Sequence, residues 1–144
     1  MSPEIVRDAM MLEPTTLAAD ASAQEAGQCF ADNTEVRAIF VTEDGGRLLG
    51  VVTRKTLVRE VVAAGREPTA VSLREIAEPP NFTLDAGLEL ESAFRFLEEQ
   101  DLERVPVVEE GGRLVGVLSR AVVQRRLAED EPPEGDPEPG SLVL

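Results

Sequence analysis

The chain contains two copies of one motif, and an internal duplication limits the folds open to it more than any other feature. Val36 through Arg54 reads VRAIFVTEDGGRLLGVVTR and Leu102 through Arg120 reads LERVPVVEEGGRLVGVLSR, aligned without a gap at an offset of 66. Upstream, Val6-Arg7-Asp8 answers Leu73-Arg74-Glu75, Thr16-Leu17 answers Thr83-Leu84, and Ala26 answers Ala93, now at an offset of 67. The first copy therefore carries one extra residue between helix and strand, and chance similarity would not hold register across three blocks with a single slip. At 144 residues the chain is long enough for one compact duplicated core and short for two independent ones.

Hydrophobic period assigns the elements of each copy. Ala23, Ala26, Gly27 and Phe30 in the first copy, and Leu90, Ala93, Phe94 and Leu97 in the second, recur at three and four residues and predict one apolar stripe along a helix. The runs 36–41 and 48–52 are short, apolar and β-branched and read as paired strands. Between them, Glu43-Asp44-Gly45-Gly46 and Glu109-Glu110-Gly111-Gly112 predict tight turns in which glycine supplies positive φ. Neither doublet has the spacing of a phosphate-cradling loop. A second helix is predicted over 56–64 and over 121–128, with Thr53 and Ser119 placed as N-caps. The unit is βαββα, an α/β (α+β) arrangement, with boundaries at 1–71 for the first copy with its arm and linker, 72–128 for the second, and 129–144 for a tail.

Composition removes whole classes of function. The formal charge is −14, with acids outnumbering Lys and Arg two to one (28 against 14), which argues against a phosphate-backbone footprint and so against nucleic acid. Six of those acids and four prolines fall in residues 129–144, a composition that leaves too little to bury and predicts a disordered or extended arm whose Leu142-Val143-Leu144 end could dock. There is no histidine, no tyrosine and one cysteine, so the common general base, nucleophile–base pairs and soft-metal sites are missing and no enzyme or metal centre is expected. Cys29 lies beside the first helix's apolar stripe and reads as a small buried hydrophobe, and Met10 and Met11 as packing residues. A lone cysteine, the lack of a leader pattern and the lack of an apolar run near ~20 residues point to the cytoplasm rather than to a membrane.

Thr-Leu at the first strand, Val105-Pro106-Val107-Val108 before a Gly-Gly turn, and Gly-Val-x-Thr/Ser-Arg after it, twice over, resemble the cystathionine-β-synthase (CBS) domain pair, or Bateman module, across residues 5–129. That resemblance implies two βαββα repeats packed sheet to sheet with pseudo-two-fold symmetry, leaving two clefts that in this family commonly take AMP, ADP, ATP or other adenosyl compounds. It also implies a regulatory role, a homodimer, and a separate regulated protein as partner. The candidate lining is Thr16, Ile39, Phe40, Thr53 and Thr56 for one cleft and Thr83, Arg104, Val105, Pro106, Ser119 and Arg120 for the other, with Arg54 and Lys55 near an anion. The family's ribose-binding aspartate, in G-h-x-T/S-x-x-D, falls on Thr56 and Val122. A carboxylate acceptor is roughly twice as strong as a neutral one, so two readings stay open. Either the module senses an adenosine-type nucleotide, or it is a ligand-free interaction and dimerisation module in which Thr53 and Ser119 only cap helices.

Overall fold

The computed structural model describes residues 4–11 and 14–130; the acidic tail beyond Asp130 lies outside the described residues. Each repeat supplies three strands: β1 (Thr16–Ala18), β2 (Ile39–Glu43) and β3 (Arg47–Val52) from the first, β4 (Leu84–Asp85), β5 (Arg104–Glu109) and β6 (Arg113–Ser119) from the second. Their order is β1-β2-β3-β6-β5-β4, so the copies meet edge to edge at β3 and β6 and mirror one another outward from that line. Within each half the first strand pairs parallel with the second, and the second antiparallel with the third. Both hairpins carry a register shift at the same place, Val41/Thr42 and Val107/Val108, an offset of 66.

The halves are joined by a single ladder pair, Arg47 with Arg113. The six strands form one sheet with a cavity lined from both halves. Alternation then sends Ile39, Val41 and Val52 into one core and Val105, Val107 and Leu118 into the other. Phe40 and Val51 from the first repeat and Pro106 and Val117 from the second are left facing a common cavity.

Local chemistry explains the helices that close the outer faces. In α2 (Ala23–Asp32) the Ser22 hydroxyl accepts from the Glu25 amide at 3.1 Å while the Glu25 carboxylate accepts from the Ser22 amide at 2.8 Å, a reciprocal cap worth about 1 kcal/mol. Ala23, Ala26 and Phe30 are its buried stripe, and Leu90, Ala93 and Leu97 are that of α5 (Leu90–Glu99). The glycine turns have the positive φ expected of them, 78° and 101° at Gly45 and Gly46 and 77° and 80° at Gly111 and Gly112. The last helix, α6 (Arg120–Asp130), runs unbroken, whereas its counterpart α3 (Arg54–Leu57) opens into a π turn over Val58–Val62.

Two short helices cross between the repeats. Helix α1 (Val6–Ala9) buries Val6 and Ala9 in the core of the second repeat, and α4 (Leu73–Ile76) buries Leu73 and Ile76 in the core of the first. The backbone anchors repeat at an offset of 67: Val6 and Arg7 amides donate to Leu88 and Ala86 carbonyls, as Leu73 and Arg74 donate to Ala21 and Ala19. Beyond each helix the chain lies across the partner's third strand, Met11 paired both ways with Val117 and Glu78 with Val51. Neither core is complete without the other copy's arm.

Candidate ligand cleft

The cavity between the sheets has a volume of about 530 Å³ and is lined mainly by apolar groups, the size and character of a small-molecule site. Phe40 and Val51 form one wall, Pro106, Val105 and Val117 the other, and Phe82 and Leu102 close an end. Two guanidiniums, Arg37 and Arg104, stand at its rim in exposed positions just before or at the start of the second strand of each repeat. Neither has a hydrogen-bond or ion-pair partner among the described residues. Glu35 is the one carboxylate of the lining, so the rim is net positive on a chain of charge −14.

Several other arginines of the fold are paired away from the cavity. At the sheet junction, Arg47 and Arg74 hold Glu43 at 2.6 and 2.5 Å, and Arg113 and Arg7 hold Glu109. The Arg74 hydrogen bond keeps the Glu43 carboxyl below its usual range. Arg54 lies over the Phe30 ring, 4.7 Å from its centre, and donates to the Val36 and Phe30 carbonyls at 2.7 and 3.2 Å. Its counterpart Arg120 pairs with Glu103 at 2.5 Å and Asp101 at 3.4 Å. Both staple the loop between a helix and the following strand.

Of the residues read from sequence, the structure gathers Phe40, Arg104, Val105 and Pro106 on this one cavity. Ile39 is fully buried in the first core, and Val105 contributes to the second core as well as to the cavity wall. Thr16 and Thr83 are exposed and lie outside the lining, where the neighbouring Thr15 is found instead. Thr53 and Ser119 act as caps, accepting from the Thr56 amide at 3.2 Å and the Val122 amide at 3.5 Å. Thr56 is fully buried, bonded to Thr53 and donating its hydroxyl to Glu78 at 2.8 Å. That bond holds the Glu78 carboxyl below its ordinary range, with Arg59 at 3.1 Å adding to the effect.

Sequence reasoning missed Arg37, Met11, Asn81 and Phe82. Arg37 aligns with Glu103 and Arg104 with Ala38, so the two rim cations occupy neighbouring rather than equivalent positions of the repeat. A repeat alignment searches for equivalence and passes over such a pair. Met11, Asn81 and Phe82 reach the cavity through the crossing arms. The available signal was their place just after each arm helix.

A duplicated βαββα pair with exchanged arms and an apolar cleft between its halves defines a tandem-repeat α+β fold. The sequence profile described as CBS domain matches residues 6–63 and 73–129, and the chain belongs to that family. It is 32% identical over 95 residues to Hypoxic response protein 1 of Mycobacterium tuberculosis, a match covering 66% of each chain. It is 25% identical over 84 residues to Uncharacterized protein MK0525 of Methanopyrus kandleri, covering 58% of this chain and 43% of that protein, so it spans less than two thirds of either relative. Among solved structures, Hypoxic Response Protein I with two coordinated zinc ions superposes with a TM-score of 0.71 at 28% identity, covering 85% of this chain and 98% of that one. CBSX2 in complex with AMP superposes at 0.64 and 24% identity, covering 87% and 96%, and shares the fold. Among the described residues of this chain no group of three or more His, Cys, Asp or Glu could hold a metal ion, and no helix is long and apolar enough to cross a membrane.

Proposed function

We propose that this chain is a non-catalytic sensor that binds an adenosine-type nucleotide between its repeats and passes the occupancy of that cleft to a separate protein in the cytoplasm. The observation that carries the reading is the pair of unpartnered guanidiniums, Arg37 and Arg104, above an apolar slot of about 530 Å³. The reading seats a flat heterocycle between Phe40 and Pro106, with the planar guanidinium forks on phosphate oxygens. Binding across both repeats supplies the signal, because a ligand held there favours one arrangement of the two halves over others.

Calorimetric titration of the full chain with AMP, ADP, ATP, NAD and S-adenosylmethionine tests this directly. Saturable heat with at least one phosphate-bearing adenosyl compound, weakened by salt, is expected. Silence across the set contradicts the reading. It would favour the second one, a ligand-free interaction and dimerisation module, for which the specific observation is that Thr56 is already committed to Glu78 and Val122 has no hydroxyl.

A further inference from the structure

One carboxylate ties the wall of the cleft to a helix that lies outside it. Beyond α4 the crossing arm joins Glu78 to Val51 through reciprocal backbone bonds of 2.8 and 2.9 Å, and Val51 lines the cavity. Pro80, Asn81 and Phe82, next along the same arm, line it as well. Pro79 and Pro80 have no N–H to give to the sheet and are fixed in φ. This stretch of wall therefore takes its position from Glu78, and a shift of that residue is passed stiffly on to Asn81 and Phe82.

The Glu78 side chain is engaged outside the cavity. One of its oxygens accepts from the buried Thr56 hydroxyl in α3 at 2.8 Å, and the other holds Arg59, within the π turn, at 3.1 Å. Bonds to an ionised carboxylate are roughly twice as strong as neutral ones. The second repeat has the same arm without this tie. Met11 stands where Glu78 does and Val122 where Thr56 does, at offsets of 67 and 66, so both the carboxylate and its hydroxyl partner are missing there. The helix behind differs in step: Val58–Val62 is a π turn in the repeat with the carboxylate, and α6 is unbroken in the repeat without it. The fold therefore admits two backbone arrangements of this element, which is what a transmitted signal needs.

We propose that Glu78 is a positioning residue that sets the cavity wall at residues 80–82 and couples it to the π turn at Val58–Val62. The tie stands on these bonds; that a bound ligand is what it reports rests on the nucleotide reading above.

Amide NMR of the full chain tests this in two arms. Without ligand, Thr56→Val is expected to shift the Asn81 and Phe82 signals, and to leave them unmoved when added to Glu78→Ala, where the tie is already gone. Glu78→Gln keeps a neutral acceptor for Thr56 and loses the Arg59 ion pair. It is expected to lie between the parent and Glu78→Ala, and it gives the same comparison with side-chain volume nearly preserved. With saturating AMP, Asn81 and Phe82 are expected to shift in the parent and in Glu78→Ala, and residues 58–62 in the parent alone. Asn81 and Phe82 signals indifferent to Thr56→Val, or moved as far in the Glu78→Ala background, overturn the proposal, as do AMP shifts at 58–62 of equal size in both proteins. No response to AMP in any of these proteins removes the nucleotide reading, and the ligand-free arm then decides the tie by itself.

Discussion

Gly50 and Gly116 show how one residue in each repeat positions the whole exchange. A Cβ on Gly50 would lie 2.7 Å from the Glu78 carbonyl oxygen, and one on Gly116 2.7 Å from that of Met11. These are the backbone segments of the crossing arms, tied down by reciprocal hydrogen bonds to Val51 and Val117, so they cannot yield as a flexible side chain would. Gly50→Ala or Gly116→Ala is expected to destabilise the chain by about 1–3 kcal/mol, the usual cost of overpacking, read as a lowered urea midpoint. Gly27→Ala is the control, because nothing lies within 4 Å of its Cβ position; equal stability of all three variants would contradict the account. The glycine of GGRLxGV was plain in the sequence. Its reason was not, because the contacting residues sit in another segment and make contact only after the arms swap.

At the scale of elements, the duplication predicts likeness, and the informative places are where it fails. Strand pairing, turns and the first helix of each repeat follow from period and glycine placement, and they repeat down to the same bulge. The second helix does not. Over 56–64 the apolar letters read as one amphipathic helix, but β-branched Val58, Val61 and Val62 follow one another closely, and the backbone widens into a π turn in which Ala63 donates to Val58 at 2.7 Å. Val58 and Val62 are left 57% and 71% exposed, and Val62 lies beside the small-residue face of α2, Ala23, Gly27 and Ala31. The equivalent positions in the second repeat are Gln124 and Ala128. An apolar face of this kind marks association surfaces, and we propose it as the place where two copies of the chain would meet. Under that proposal Val62→Glu lowers the sedimenting mass in analytical ultracentrifugation while Gln124→Glu does not; a variant that sediments like the parent would contradict the placement.

Taken as a whole, the molecule is two half-cores that each borrow a helix from the other, with β3 and β6 paired at Arg47 and Arg113 and the arms bonded across the third strands. The fold was legible because duplication, period and turn chemistry are local properties of sequence. The cleft was legible only in part. Phe40, Arg104, Val105 and Pro106 follow from strand register, whereas Arg37 and Phe82 depend on how the halves close. Thr53, Thr56 and Ser119 look alike as caps and as ligand contacts until their hydrogen bonds are seen, and the same holds for Arg54 and Arg120, whose side chains staple loops. The most direct measurement is a crystal structure of the full chain grown with AMP. The account predicts one nucleotide between Phe40 and Pro106 with its phosphate on Arg37 and Arg104. Nucleotide bound instead at the helix starts beside Arg54 or Arg120, with the inter-repeat cleft open, would contradict it.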